Sequence, residues 1–121
     1  MHILVLGAAG MVGRKLSERL LADGRLGKTD ITRMTLQDVV APAQPAKTGF
    51  PVETVTCDFA VAGAAEKLVK DRPDVIFHLA AIVSGEAELD FDKGYRINLD
   101  GTRMLLDAIR LVGNGYKPRI V

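Results

Sequence analysis

Along the 121 residues, short apolar runs alternate with segments whose apolar residues recur at helical spacing. Ile3-Leu4-Val5-Leu6 has no polar member, as a strand buried on both faces of a parallel sheet requires. The run breaks into Gly7, Gly10 and Gly13, after which Val12, Leu16, Leu20 and Leu21 form one helical stripe with Gly24 as its stop. Ile31 to Asp38 reads as a second strand, and the alternating, β-branched Val52 to Cys57 as a third. Residues 39–51 carry Pro42, Pro45, Gly49 and Pro51, a loop composition. Gly63 to Arg72 has helical spacing and ends at Pro73, and Val75 to Ala81 is a fourth, buried strand. A long helix is expected from Phe91 to Val112, with Ile97, Met104, Leu105, Ala108, Ile109 and Val112 turned inward. Past Gly113-Asn114-Gly115, a fifth strand begins at Lys117.

Strands that alternate with helices predict an α/β fold with right-handed crossovers, a doubly wound parallel sheet of Rossmann type in strand order 3-2-1-4-5. A strand that should be central begins at Lys117 and runs only to Val121, so the chain is expected to be the N-terminal part of a longer protein. The hydrophobic content of 48% and net charge of +1 fit a globular protein, with no electrostatic case for nucleic acid or membrane. No apolar run reaches the roughly 18 residues of a membrane span. The first strand also lacks the basic flank and cleavage site of a signal peptide, so a cytoplasmic protein is expected. Cys57 is the only cysteine, which excludes an intrachain disulfide and a multi-cysteine metal site. It reads as a small buried hydrophobe at a strand end.

The glycine spacing G-x-x-G-x-x-G, placed between a strand and a helix, points to a dinucleotide-binding turn. Gly7 permits the sharp turn, Gly10 lets backbone approach a pyrophosphate, and Gly13 lets the helix lie close to the strand. Phosphates would sit on the free N–H groups at the helix start. The competing reading is a glycine turn used for packing alone. Asp38 lies 31 residues after Gly7, beyond the roughly 20 expected of a ribose-binding acid. Asp23 to Asp30 supplies the excess as a loop extension. A carboxylate at this strand end accepts ribose hydroxyls and repels a 2′-phosphate, which favours NAD over NADP; a solvated turn aspartate is the alternative. Asp58, at the end of the third strand, is placed to accept from the adenine amino group, and its spacing equally allows a cap or turn role. His78 lies inside an apolar strand and reads as a satisfied core histidine. Glu86, Glu88, Asp90 and Asp92 precede the long helix, where acids are stabilised by its dipole, and no metal site is expected from them.

Gly7-Ala8-Ala9-Gly10-Met11-Val12-Gly13, the Asp58 strand end, His78-Leu79-Ala80-Ala81 and Asn98-Leu99-Asp100-Gly101-Thr102 together resemble the extended short-chain dehydrogenases/reductases, the NAD-dependent epimerase/dehydratase family. Within it, residues 34–39 and 78–88 are similar to dehydrogenases of four-carbon sugar acids. The resemblance implies NAD as cofactor, with the Met11 and Val12 amides on the pyrophosphate, Asp38 on the adenosine ribose, and Asp58 with the Phe59 backbone at adenine. It further implies that Leu79, Ala80 and Ala81 line the path to the nicotinamide ribose and that Asn98 supports the active site. Ser84 is a candidate substrate contact or, equally, a capping serine. The family's catalytic serine or threonine and its Tyr-x-x-x-Lys pair fall after the fifth strand, and Tyr95 and Tyr116 do not substitute because neither has lysine four residues on. The activity so implied is NAD-dependent oxidation of a small sugar acid by a homodimer, with this piece alone inactive. The alternatives are a nucleotide-sugar 4-epimerase or dehydratase, and a non-catalytic NAD(H)-binding redox sensor.

Overall fold

The computed structural model describes residues 1–82 and 88–121. In chain order these form β1 (His2–Leu6), α1 (Met11–Asp23), β2 (Arg25–Leu26), β3 (Thr29–Asp30), β4 (Arg33–Asp38), β5 (Val52–Thr56), α2 (Ala64–Val69), β6 (Val75–His78), α3 (Phe91–Tyr95), a π-helical segment (Arg96–Gly101), α4 (Thr102–Val112) and β7 (Arg119–Ile120). The main sheet is parallel in the order β5-β4-β1-β6-β7, which is the doubly wound order the alternation predicts. Among the described residues no helix is long and apolar enough to cross a membrane.

β1 sits at the centre, with Ile3 opposite both Met34 and Val75. Its apolar residues alternate between the two faces. Leu4 and Leu6 pack with Phe59, Leu68, Ile76 and Leu105 under α2 and α4, while Ile3 and Val5 pack with Leu20, Ile31, Met34 and Leu36 under α1. All four are fully buried, which is why the run carries no polar residue. Burial of this kind contributes roughly 1.5–3 kcal/mol per large side chain.

Several boundaries differ from the sequence reading. Asp23 to Asp30 is no extended loop: α1 runs to Asp23, and a β2–β3 hairpin turns at Gly27, whose φ is +61°. On α1 the buried positions are Gly13, Ser17 and Leu20, whereas Val12 is exposed. Gly24 stops α1 as expected, in a left-handed conformation with its N–H on the Leu20 carbonyl. α2 is shorter than the periodicity implies, and Arg72, at φ +52°, ends that segment before Pro73. β6 stops at His78, so Leu79 to Ala81 lie beyond the strand. The expected single helix from Phe91 to Val112 is interrupted by the π-helical turn. Leu105 and Ala108 are buried on α4 as expected.

Residues 39–51 contain no helix, so the β4-to-β5 crossover is a loop. Gln44 pins it, donating from its amide to the Val52 carbonyl and accepting from the Thr54 hydroxyl.

Candidate functional site

The first turn after β1 is fixed by contacts that leave no room for side chains. Gly7 has φ +84°, and a Cβ there would fall 2.7 Å from the Ala80 nitrogen. A Cβ on Gly13 would fall 2.1 Å from the Gly7 carbonyl oxygen. Both glycines are therefore required by the chain itself. Gly10 is different. A Cβ there would meet only the Gly7 oxygen, at 3.4 Å, so nothing in the described protein demands a glycine at that place. The space it leaves adjoins the start of α1, where the first helical bond runs from the Arg14 N–H to the Gly10 carbonyl. Met11 and Val12 precede that bond, so their amides have no carbonyl a turn earlier to donate to, and their side chains are exposed. A glycine that packing does not need, beside free helix-start amides, fits the close approach of a bound phosphate.

Gly7, Ala9 and Gly10 open onto a cleft of about 340 Å³ along the carboxyl edge of the sheet, lined also by Asp38, Asp58, Phe59, Leu79, Ala80, Ala81, Ile82 and Ile97. The edge of an open α/β sheet where strand order reverses is the usual ligand position. Asp38 reaches it from the end of β4. Its Oδ2 accepts the Ala9 N–H at 2.8 Å and its Oδ1 the Val40 N–H at 3.3 Å, which leaves lone pairs on both oxygens for a ligand hydroxyl. The backbone of Gln37, one residue earlier, accepts from both the Gly7 and Ala8 amides at 2.9 Å, so the glycine turn and the end of β4 form one unit.

Asp58 also lines the cleft, but its carboxylate is engaged. Oδ1 accepts the Ala60 N–H at 2.9 Å, and Oδ2 is paired with the Arg96 guanidinium at 2.7 Å. The turn role left open by its spacing is thus present, together with an ion pair to a residue 38 positions away that no local pattern signals. Phe59 buries its ring against His78, edge to face at 5.3 Å, leaving its backbone as the part available to the cleft. Gln37 clamps the same wall by donating from Nε2 to the Cys57 carbonyl at 2.6 Å, while Oε1 has no partner among the described residues. Cys57 is half-buried beneath this bond, and burial pushes its thiol pKa upward.

Leu79, Ala80 and Ala81 form the opposite wall. Asn98 holds the far end of that wall from the π-helical segment: Oδ1 accepts the Ile82 N–H at 2.8 Å and Nδ2 donates to the Ile82 carbonyl at 2.9 Å. His78 is only partly satisfied, which corrects the expectation of a fully paired core histidine. Its Nε2 lies 2.9 Å from the Thr102 hydroxyl oxygen, its Nδ1 is buried without a partner among the described residues, and burial lowers its pKa. Ser84 lies outside the described residues, as does Glu86. Asp90 caps α3 by accepting the Lys93 N–H, the plain role expected of acids at that position. Tyr116 is committed elsewhere: its hydroxyl donates to the Pro73 carbonyl at 2.7 Å, and burial pushes its pKa up to about 12, away from a proton-accepting role.

Glycine turn, acid-ended second strand and reversed strand order define a dinucleotide-binding α/β unit. Residues 3–119 match the NAD dependent epimerase/dehydratase family, and the chain belongs to that family. It is 39% identical to a D-erythronate dehydrogenase of Cupriavidus necator over 125 aligned positions, covering all of this chain and 37% of that protein. A crystal structure of a nucleoside-diphosphate-sugar epimerase from Agrobacterium tumefaciens superposes with a TM-score of 0.95 at 62% identity, covering 99% of this chain and 36% of that one. A uronate dehydrogenase from Agrobacterium tumefaciens, solved in complex with NAD, superposes at 0.74 with 34% identity, over 98% of this chain and 38% of that one. The chain thus spans a little over a third of the length of these relatives.

Proposed function

We propose that this chain is the cofactor-binding part of an NAD-dependent dehydrogenase that oxidises the C2 hydroxyl of a small sugar acid, D-erythronate, to 2-oxo-erythronate in the cytoplasm. The observation that carries the reading is Gly10: a glycine that packing does not require, beside the Met11 and Val12 amides, which have no backbone partner among the described residues, and in one cleft with the Asp38 carboxylate. Those amides hold the pyrophosphate, and Gly7 and Gly13 keep the turn tight enough to present them. Asp38 accepts the adenosine ribose hydroxyls. Asp58, oriented by Arg96, and the Phe59 backbone meet adenine. Ala80 and Ala81 are small enough for a ligand to lie against them beside Leu79, and Asn98 fixes the far end of this wall through Ile82. When bound, NAD supplies the hydride acceptor. Ser84 is the proposed substrate contact.

The sugar-acid substrate is supported by the Cupriavidus necator match, which extends over the whole chain. A second reading, nucleotide-sugar 4-epimerase or dehydratase, is favoured by the 62% identity to the Agrobacterium epimerase structure. Either enzyme would act as a homodimer; Phe91, Tyr95 and Leu99, at four-residue spacing, are all exposed on the chain's surface. The whole protein, supplied with NAD, should form NADH on adding D-erythronate and should not interconvert UDP-glucose and UDP-galactose. Epimerisation without erythronate oxidation would replace the first reading with the second.

A further inference from the structure

Both ends of the 79–81 wall are fastened to one helical stretch. At the near end His78 Nε2 meets Thr102 Oγ1 at 2.9 Å, and at the far end Asn98 holds the Ile82 N–H and carbonyl together. Positions 78 and 82 are four residues apart, and so are 98 and 102. The two fastenings are also joined to each other. Thr102 Oγ1 donates to the Asn98 carbonyl at 3.0 Å, while the Thr102 N–H goes to the Leu99 carbonyl.

The proton positions follow from this geometry. A carbonyl only accepts, so the single hydroxyl proton of Thr102 is spent on Asn98. The Thr102 oxygen then faces His78 as an acceptor, and Nε2 must carry the imidazole proton. Among the described residues Nδ1 is buried with no partner, so a second proton there would leave a buried charge and a buried donor unmet. His78 is therefore neutral, and donation runs one way, from His78 through Thr102 to Asn98.

We propose that His78 and Thr102 are positioning residues which, through Asn98, set the 79–81 wall for the part of a dinucleotide that lies beyond its pyrophosphate. This rests on the function proposed above, in which Asp38 and Asp58 take the adenosine half. β4 and β5 lie on one side of β1 and β6 on the other, so a ligand crossing the sheet edge from Asp38 reaches residues 79–81 only after the glycine turn.

ADP carries the adenosine half alone and NADH carries both, so calorimetric titration of the whole protein with each separates the two walls. Thr102→Val keeps the side chain's shape and removes both hydroxyl bonds; it should weaken NADH on the order of tenfold, the worth of about one hydrogen bond, and leave ADP unchanged. Thr102→Ser should restore NADH binding. His78→Phe should behave like Thr102→Val, with a melting temperature close to wild type because it also removes the unpaired Nδ1. Wild-type NADH affinity in both Thr102→Val and His78→Phe would overturn the proposal. So would a parallel loss of ADP and NADH binding with a lowered melting temperature, the mark of a purely structural role. Failure of the wild type to bind either nucleotide is a separate result that removes the dinucleotide reading and this inference with it.

Discussion

The Asp38 carboxylate accepts the Ala9 N–H at 2.8 Å, which ties the end of β4 directly to the glycine turn after β1. The acid is thus held at the cleft by two backbone amides, with lone pairs left for a ligand; in the proposed function these take the ribose hydroxyls, and the carboxylate opposes a 2′-phosphate. In the whole protein, kcat/KM should favour NAD over NADP, and Asp38→Ala should narrow that preference. Parallel initial-rate measurements with the two cofactors check it; a clear preference for NADP in the wild type contradicts it.

Gly10 and Gly13 should separate cleanly on substitution. Gly10→Val adds a side chain where the protein offers only one contact at 3.4 Å, so the melting temperature should hold while NADH binding is lost. Gly13→Ala drives a Cβ to 2.1 Å from the Gly7 oxygen, an overpacking that should cost about 1–3 kcal/mol. Thermal melting with NADH calorimetry on both variants decides this. Unchanged NADH affinity in Gly10→Val would reduce the turn to a packing device.

His78 gives a pH signature. Its folded pKa lies below the ordinary 6.5 because it is buried, so between that lowered value and 6.5 the unfolded chain holds a proton that the folded chain does not. Stability should therefore be complete above pH 6.5 and decline as pH falls through this window. His2, also lowered mainly by burial, acts in the same direction. Denaturant unfolding at a series of pH values should show a shallower decline in His78→Phe than in the wild type.

Leu105 is fully buried and anchors α4, the helix that follows directly on the segment carrying Asn98. Leu105→Ala should cost about 2–5 kcal/mol, read as a lower denaturation midpoint. A loss below 1 kcal/mol would show that the core under α4 can collapse around the gap.

The parts of the fold governed by period and by glycine were readable in advance. β1 announced itself because both of its faces are covered, and Gly7, Gly10 and Gly13 carried the turn and the cleft with them. Asp38 was found because a strand end is a fixed place. The π-helical turn was not, since one widened turn inside a helix leaves the apolar spacing on either side intact. The Asp58–Arg96 pair joins residues 38 positions apart, and no local pattern encodes such a partner. The hairpin at 25–30 hid in a polar, two-glycine stretch that equally describes a loop. The contact between His78 and Thr102 joins residues 24 positions apart, and no local pattern encodes it.

The most direct test is a crystal structure of the whole protein with NAD. The pyrophosphate should lie on the Met11 and Val12 amides over Gly10, with both adenosine ribose hydroxyls on Asp38 and the nicotinamide end beyond Leu79 to Ala81. NAD bound elsewhere, or a Gly10 turn left empty at saturating NAD, would contradict the account.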